Sequence, residues 1–202
     1  MKRTKLFFDT EFTGLHKNTT LISIGIVSEC GKSFYAELTD YDKSQVDTWL
    51  QENVINNLLS NNISEDDSIK YDVDWKDVNE TMAWNGFSFE AKLNKQFLKE
   101  ELKRWLSQFE SVEMWSDCLA YDWVLFCDIF GTAFDIPSNV YYLPFDLVSF
   151  LHLRGYDPDI SREDFADGYI DIDSNTKIVK HNALWDAYVI KGCYNRLCNE
   201  KK

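Results

Sequence analysis

Near its start the chain carries Lys5-Leu6-Phe7-Phe8-Asp9-Thr10-Glu11-Phe12, an apolar run that turns acidic before it ends. A short aromatic-rich run of this kind reads as a buried strand. Side chains alternate along a strand, so Asp9 and Glu11 fall on the same face. Two carboxylates side by side repel, and burial raises the pKa of both unless something positive sits between them. A divalent cation meets that need, because Mg²⁺ and Mn²⁺ take oxygen ligands. The bland reading, a turn-forming Asp beside an exposed Glu, fits the same residues. The pair alone leaves the chemistry open.

The segments that follow place this strand in a fold class. Thr20-Leu21-Ile22-Ser23-Ile24-Gly25-Ile26-Val27 is a second strand, and the stretch from Gly31 to Leu38 a third, with Gly31 at the turn. Three consecutive strands predict an antiparallel meander. Val46, Trp49, Leu50, Val54 and Leu58 have helical spacing over Ser44 to Leu59. The polar stretch at about 60–78 reads as an exposed insertion or mobile loop. Glu90 to Phe109 reads as an amphipathic helix with Leu98, Leu102, Trp105, Leu106 and Phe109 on one face. A short strand at Val112 to Trp115 precedes an apolar helix from Ala120 to Phe130, stopped by Gly131. Val140 to Pro144 reads as a strand, Asp146 to Leu153 as a helix, and Gly155 to Lys180 as loop-rich. Asn182 caps a final helix running to about Cys198. Strands first, then alternating helices and strands, predict an α/β, three-layer domain with a mixed β-sheet flanked by helices. With no internal repeat or linker, residues 1–202 are expected to form one domain.

Composition narrows the setting. A chain that is 45% hydrophobic and 15% aromatic buries a sizeable core. No apolar run approaches the roughly 20 residues needed to span a bilayer. The first ten residues turn acidic too soon for a signal peptide. Cys30, Cys118, Cys127, Cys193 and Cys198 are odd in number and form no Cys-x-x-Cys pair. That pattern predicts a cytoplasmic protein whose thiols act as small buried hydrophobes. The net charge of −13 speaks against a generic nucleic-acid binder with a broad basic face. It is compatible with a nucleic acid engaged at one end through metal ions, or with a partner of another kind.

Three further clusters each have an ordinary structural explanation when taken alone. Thr13-Gly14 suits a turn. Asp122 in Tyr121-Asp122-Trp123 suits a helix N-terminus, where the macrodipole favours an acid. His181, one of three histidines, suits a structural role. Together they form a pattern. Asp9-Thr10-Glu11-Phe12-Thr13-Gly14 resembles the D-x-E-x-T-G signature of the DEDD exonucleases, the DnaQ-like superfamily with an RNase H-like fold. Tyr121-Asp122 matches the second motif in order and context. His181-Asn182-Ala183-Leu184-Trp185-Asp186 resembles the H-x-A-x-x-D motif of the DEDDh subgroup. The small Ala183 and Ala187 let that helix approach the sheet, bringing Asp186 inward.

The resemblance implies an RNase H-like fold, a 3′–5′ exonuclease, and two divalent ions, Mg²⁺ or Mn²⁺, held by Asp9, Glu11, Asp122 and Asp186. It implies His181 as general base and nucleoside 5′-monophosphates as products. Phe12, Thr13 and Leu15 are substrate-binding candidates from the first motif; Phe12 and Leu15 fit a core role equally well. Asp117, where many members carry Asn, and Lys180 are candidates from the other two. Arg154, Arg162 and Lys177 form a candidate basic rim or are ordinary surface charges, and Asp146 and Asp164 read as structural. The compact size and the helix around Trp49 look like the small bacterial and phage exoribonucleases. The expected partner is therefore a single-stranded nucleic acid 3′ end, with RNA favoured over DNA and no membrane, and a homodimer left open. A DNA exonuclease and a catalytically silent binding module remain alternatives. A phosphatase using Asp9 as nucleophile lacks the second aspartate where Glu11 stands.

Overall fold

The computed structural model describes residues 2–58, 81–84, 86–172 and 180–200; the insertion expected at about 60–78 lies outside them. The first three strands are β1 (Thr4–Phe12), β2 (Leu21–Ser28) and β3 (Ser33–Leu38). They form the expected antiparallel meander. After a helix α1 (Thr48–Asn53) come β4 (Thr81–Trp84), β5 (Ser88–Leu93), α2 (Lys95–Leu106), β6 (Val112–Ser116) and α3 (Leu119–Phe130). The chain continues through β7 (Phe145–Asp146), α4 (Leu147–Leu153), α5 (Arg162–Ala166) and α6 (Ala183–Asn199). Among the described residues the strands make one seven-stranded sheet in the order β4-β5-β3-β2-β1-β6-β7. It is mixed, because β6 runs parallel to β1 and β5 parallel to β3.

Alternation in β1 explains why the sheet is covered on both sides. Leu6 and Phe8 face a core shared with α2 and α3, while Phe7 faces α4, α5 and α6. The result is the α/β, three-layer arrangement expected of an RNase H-like fold. Asp9 pairs across the ladder with Gly25 of β2, and Gly25 with Tyr35 of β3. A Cβ on Gly25 would lie 2.3 Å from the backbone of Ala183 and Leu184. Gly25 is thus the gap into which the first turn of α6 sinks. The small alanines of that helix are half of the close approach, and this glycine is the other half.

Several expectations need correction. Glu90 to Leu93 is not helical: Phe89, Ala91 and Leu93 alternate inward along β5, and the parallel partner β3 claims that pattern. Asn94 then starts α2 by accepting from the N–H groups of Gln96 and Phe97. Phe109 is buried, but beyond the end of α2. The helix expected over Ser44 to Leu59 is broken into α1, capped by Asp47, between two short 3₁₀ turns. Leu50, Val54 and Leu58 pack on Ile22 as a buried face, whereas Trp49 is 53% exposed. In the stretch Val140 to Pro144 only Val140 bridges to Val112, and the strand proper is Phe145–Asp146. Only Cys127 and Cys193 are buried; Cys30, Cys118 and Cys198 are exposed, and all five are free.

The termini of the later helices follow the sequence reading. Gly131 ends α3 at φ 115°, in the left-handed region that glycine enters without strain. Asp146 caps α4 and Asn182 caps α6. No helix among the described residues is long and apolar enough to cross a membrane.

Candidate active site

Because β1 and β6 are parallel neighbours, their carboxyl ends open on the same edge of the sheet, a common position for ligand sites in α/β folds. Asp9 and Glu11 arrive there on β1, and Asp117 follows directly after β6. Asp122 is brought in by the first turn of α3 and Asp186 by the first turn of α6. One ligand atom each from Asp9, Asp117 and Asp122 lie within 4.8 Å of one another, as do those of Glu11, His181 and Asp186. A cleft of about 390 Å³ is lined by Asp9, Glu11, Asp117, His181 and Asp186 together with Arg162, Glu163 and Lys180, and Asp122 is fully buried beside Asp9.

Each group is held by a local device. Asp122 is fully buried and accepts from the Thr10 hydroxyl at 2.5 Å and from the Ser116 hydroxyl. A helix-dipole preference alone gives no reason for two hydroxyl donors from two strands. Asp186 donates its N–H to the Asn182 carbonyl at 3.0 Å, which fixes it one turn after the cap. His181 sits at φ 59°, a left-handed conformation uncommon for a non-glycine residue. Its ring meets the edge of Trp49 at 5.3 Å, and Asn57 donates to the neighbouring Lys180 carbonyl at 3.3 Å.

The cleft is electrostatically unbalanced. Burial, then the charges of Asp122, Glu11 and Asp186, push the Asp9 carboxyl well above the usual range. Burial and the charges of Asp186 and Asp122 raise Glu11 to about 8. Asp122 is raised to about 7 by burial, against the opposing pull of its two hydroxyl donors. Asp186 also reaches about 7, through burial and then the charges of Asp117 and Glu163. Asp117 is raised by burial although Arg162 opposes it, its Nε lying 3.3 Å from the carboxylate. Burial and then the Lys180 charge lower His181, favouring the neutral imidazole.

The remaining sequence candidates fall in different places. Phe12 stacks on Tyr121 at 5.4 Å and 15°, beside the cleft. Leu15 is 72% exposed, so it is not a core residue, and it lines an adjoining cavity with Tyr121 and Asp117. Thr13 is buried, and its hydroxyl donates to Gln45 Oε1 at 2.8 Å while accepting from the Thr20 N–H. Lys180 is exposed and lies 3.8 Å from Glu163. Arg162 is tied to Asp117 and to the carbonyls of Ile160 and Pro158; Arg154 is tied to the Glu200 carbonyl. Lys177 lies outside the described residues. Asp146 is the α4 cap, as a structural reading requires.

Sequence reasoning missed Thr10, Ser116, Trp49 and Glu163 at this site. Hydroxyl residues at two strand ends were a usable signal for the first two. Glu163 gave none, because only the return of the chain through α5 brings it to the cleft.

Carboxylates crowded without enough positive charge, beside a neutral imidazole, form a donor set suited to a hard divalent cation. Fold and site thus define an α/β protein with an acidic, cation-suited cleft at the end of its central strand. The chain belongs to the family of the 3′–5′ exoribonuclease Rv2179c-like domain, which it matches over residues 4–197. It is similar to two proteins of Mycobacterium tuberculosis, 3′–5′ exoribonuclease Rv2179c (strain H37Rv) and 3′–5′ exoribonuclease MT2234.1 (strain CDC 1551). Each is 25% identical over 138 residues, which cover 67% of this chain and 67% of the relative.

Proposed function

We propose that the protein is a metal-dependent 3′–5′ exoribonuclease of the DEDDh type that trims single-stranded RNA. The observation that carries this reading is the convergence of Asp9, Glu11, Asp186 and His181 on one cleft, with Asp122 buried beside Asp9, in a chain of an exoribonuclease family. The four carboxylates hold two divalent ions, Mg²⁺ or Mn²⁺. Bound there, such ions polarise a phosphodiester and lower the pKa of a water molecule. The raised carboxyl pKa values support the assignment, since a cation relieves the repulsion that causes them.

The chain's own residues do the rest. His181 accepts the proton of the attacking water, and its lowered pKa keeps the imidazole available as a base near neutral pH. The water oxygen bonds to the phosphorus of the terminal phosphodiester, the bond to the 3′ oxygen of the preceding nucleotide breaks, and that oxygen takes a proton from solvent to leave as a 3′ hydroxyl. The product is a nucleoside 5′-monophosphate. The Phe12–Tyr121 stack and the exposed Leu15 offer an apolar platform for bases at the 3′ end. With a net charge of −13 and few free cations among the described residues of the cleft, affinity for a long duplex is low. We read residues 1–202 as one catalytic domain, and the five free thiols as those of a protein in the reducing cytoplasm.

The test is digestion of matched RNA and DNA oligonucleotides, labelled at the 3′ or the 5′ end, with and without EDTA. Immediate release of a labelled mononucleotide from 3′-labelled RNA, abolished by EDTA, is expected. Faster trimming of DNA would move the substrate to the alternative sugar. Metal-stimulated binding without cleavage would leave a binding module.

A further inference from the structure

Asp9, Glu11 and Glu37 share the α6 side of the sheet, and of these Glu37 has no part in the mechanism above. Glu37 is 2% exposed on β3, on the same face as Tyr35, which is 1% exposed. They lie in the same cross-strand rows as the catalytic acids: Asp9, Gly25 and Tyr35 in one, Glu11, Ser23 and Glu37 in the next. A buried carboxylate is costly unless something answers it. Here the Tyr35 hydroxyl donates to Glu37 Oε1 at 2.9 Å, and the Tyr35 hydroxyl oxygen accepts from Asn182 Nδ2 at 3.1 Å.

The direction of these bonds carries information. The phenol has a single proton, which points to Glu37 Oε1, so a lone pair of its oxygen faces Asn182. The Asn182 amide must then turn its NH₂ to Tyr35 and its oxygen to the opposite side. That oxygen accepts from the N–H groups of Leu184 and Trp185 and caps α6. Asn182 directly follows the left-handed His181, and its carbonyl accepts from the Asp186 N–H. One buried side chain therefore sits between the proposed base and a proposed metal ligand, its orientation dictated from two strands away. Burial, then the charge of Glu37 and the bond to it, raise the Tyr35 phenol well above its usual value, so the proton stays in place.

We propose that Glu37 and Tyr35 are positioning residues: Glu37 fixes the direction of the Tyr35 hydroxyl, that hydroxyl fixes the Asn182 amide, and Asn182 holds His181 and Asp186 in reactive register. The role rests on the exoribonuclease reading of the site. A ligand carboxylate or base displaced by a fraction of an ångström slows the chemical step more than it weakens substrate binding.

Glu37→Gln keeps the shape but can donate or accept, so it no longer dictates the direction of the relay. The double variant Tyr35→Phe with Glu37→Met removes both the charge and the hydroxyl and leaves an apolar pair. Both are assayed on a short RNA at saturating Mn²⁺, well below their melting temperatures, beside His181→Ala. The expected result for each folded variant is a kcat about tenfold lower with KM within about twofold of wild type. Wild-type kcat in the folded variants would overturn the relay and leave Glu37 as a structural acid. If Glu37→Gln does not fold, the double variant decides by the same criterion. The relay and the site fail separately: full activity in His181→Ala removes the reading on which the relay rests, whereas an inactive His181→Ala beside wild-type relay variants removes the relay alone.

Discussion

The two buried acidic regions on the α6 side of the sheet are treated in opposite ways. On β3, Glu37 is met by a phenolic hydroxyl, which in turn is met by an amide. At the end of β1, Asp9 and Glu11 gain no donor among the described residues that offsets their burial, and neighbouring carboxylates push both of them up. Asp122 stands between the extremes, buried with two hydroxyl donors yet raised to about 7. Burying an acid for architecture requires a donor, and leaving one unanswered in a folded protein points to a partner that is not part of the chain. The contrast separates the proposed positioning region from the proposed binding region without reference to sequence motifs.

The strongest way to break that contrast is to remove an unanswered acid. Asp9→Asn is expected to lower RNA trimming by roughly a thousandfold or more while leaving the fold intact. It should also raise the melting temperature of the metal-free protein at pH 8, because one member of a repelling set has gone. Loss of activity with a lower melting temperature would instead make Asp9 a structural acid. His181→Ala comes next, with a loss of about 10²–10⁴ in kcat and an unchanged Mn²⁺ isotherm. An unfolded variant would make His181 a core residue.

Ser116→Ala tests the intermediate case. It removes one of the two hydroxyl donors to Asp122. The expected effect is about a tenfold or greater weakening of metal affinity or activity and about 1–3 kcal/mol of stability. Calorimetric titration with Mn²⁺ and chemical denaturation read the two parts separately, and an unchanged metal isotherm would make the hydroxyl purely structural.

The smallest effect is in stability against pH. Glu11 lies at about 8 and Asp122 and Asp186 at about 7 in the fold. All three are above the ordinary carboxylate value of about 4, so the folded state binds their protons more tightly than the unfolded chain. The stability they confer is complete below about pH 4 and is lost as pH rises through about 8. In EDTA the protein should therefore melt a few degrees lower at pH 8 than at pH 5, after correction with the Asp9→Asn variant. Mn²⁺ should restore more at pH 8 than at pH 5, since protons and cations compete for the same oxygens. Equal gains at both pH values would mean that the acids and the ion do not share a site.

Much of this was legible in the chain itself, for reasons that differ from residue to residue. The meander, the apolar helix ended by Gly131 and the Asn182 cap rest on neighbours within a few positions, so local pattern sufficed. The helix expected over Glu90 to Phe109 failed at its start because Phe89, Ala91 and Leu93 fit either period until β3 offers a parallel edge. Trp49 looked like part of an apolar stripe, yet its partner is the His181 ring, far along the chain. Thr13 belonged to the right motif, but its hydroxyl is engaged by Gln45 and Thr20.

Sequence by itself determined which residues are candidates for the chemistry and the order in which they arrive, because alternation, caps and motif spacing are properties of short segments. Tertiary structure alone decided that Asp122 meets Thr10 across 112 positions, that Gly25 opens the seat for α6, and that Glu37 reaches Asn182 through Tyr35. The physical reason is that repulsion, burial and hydrogen-bond direction depend on distances through space. Those distances exist only once strands far apart in sequence lie side by side.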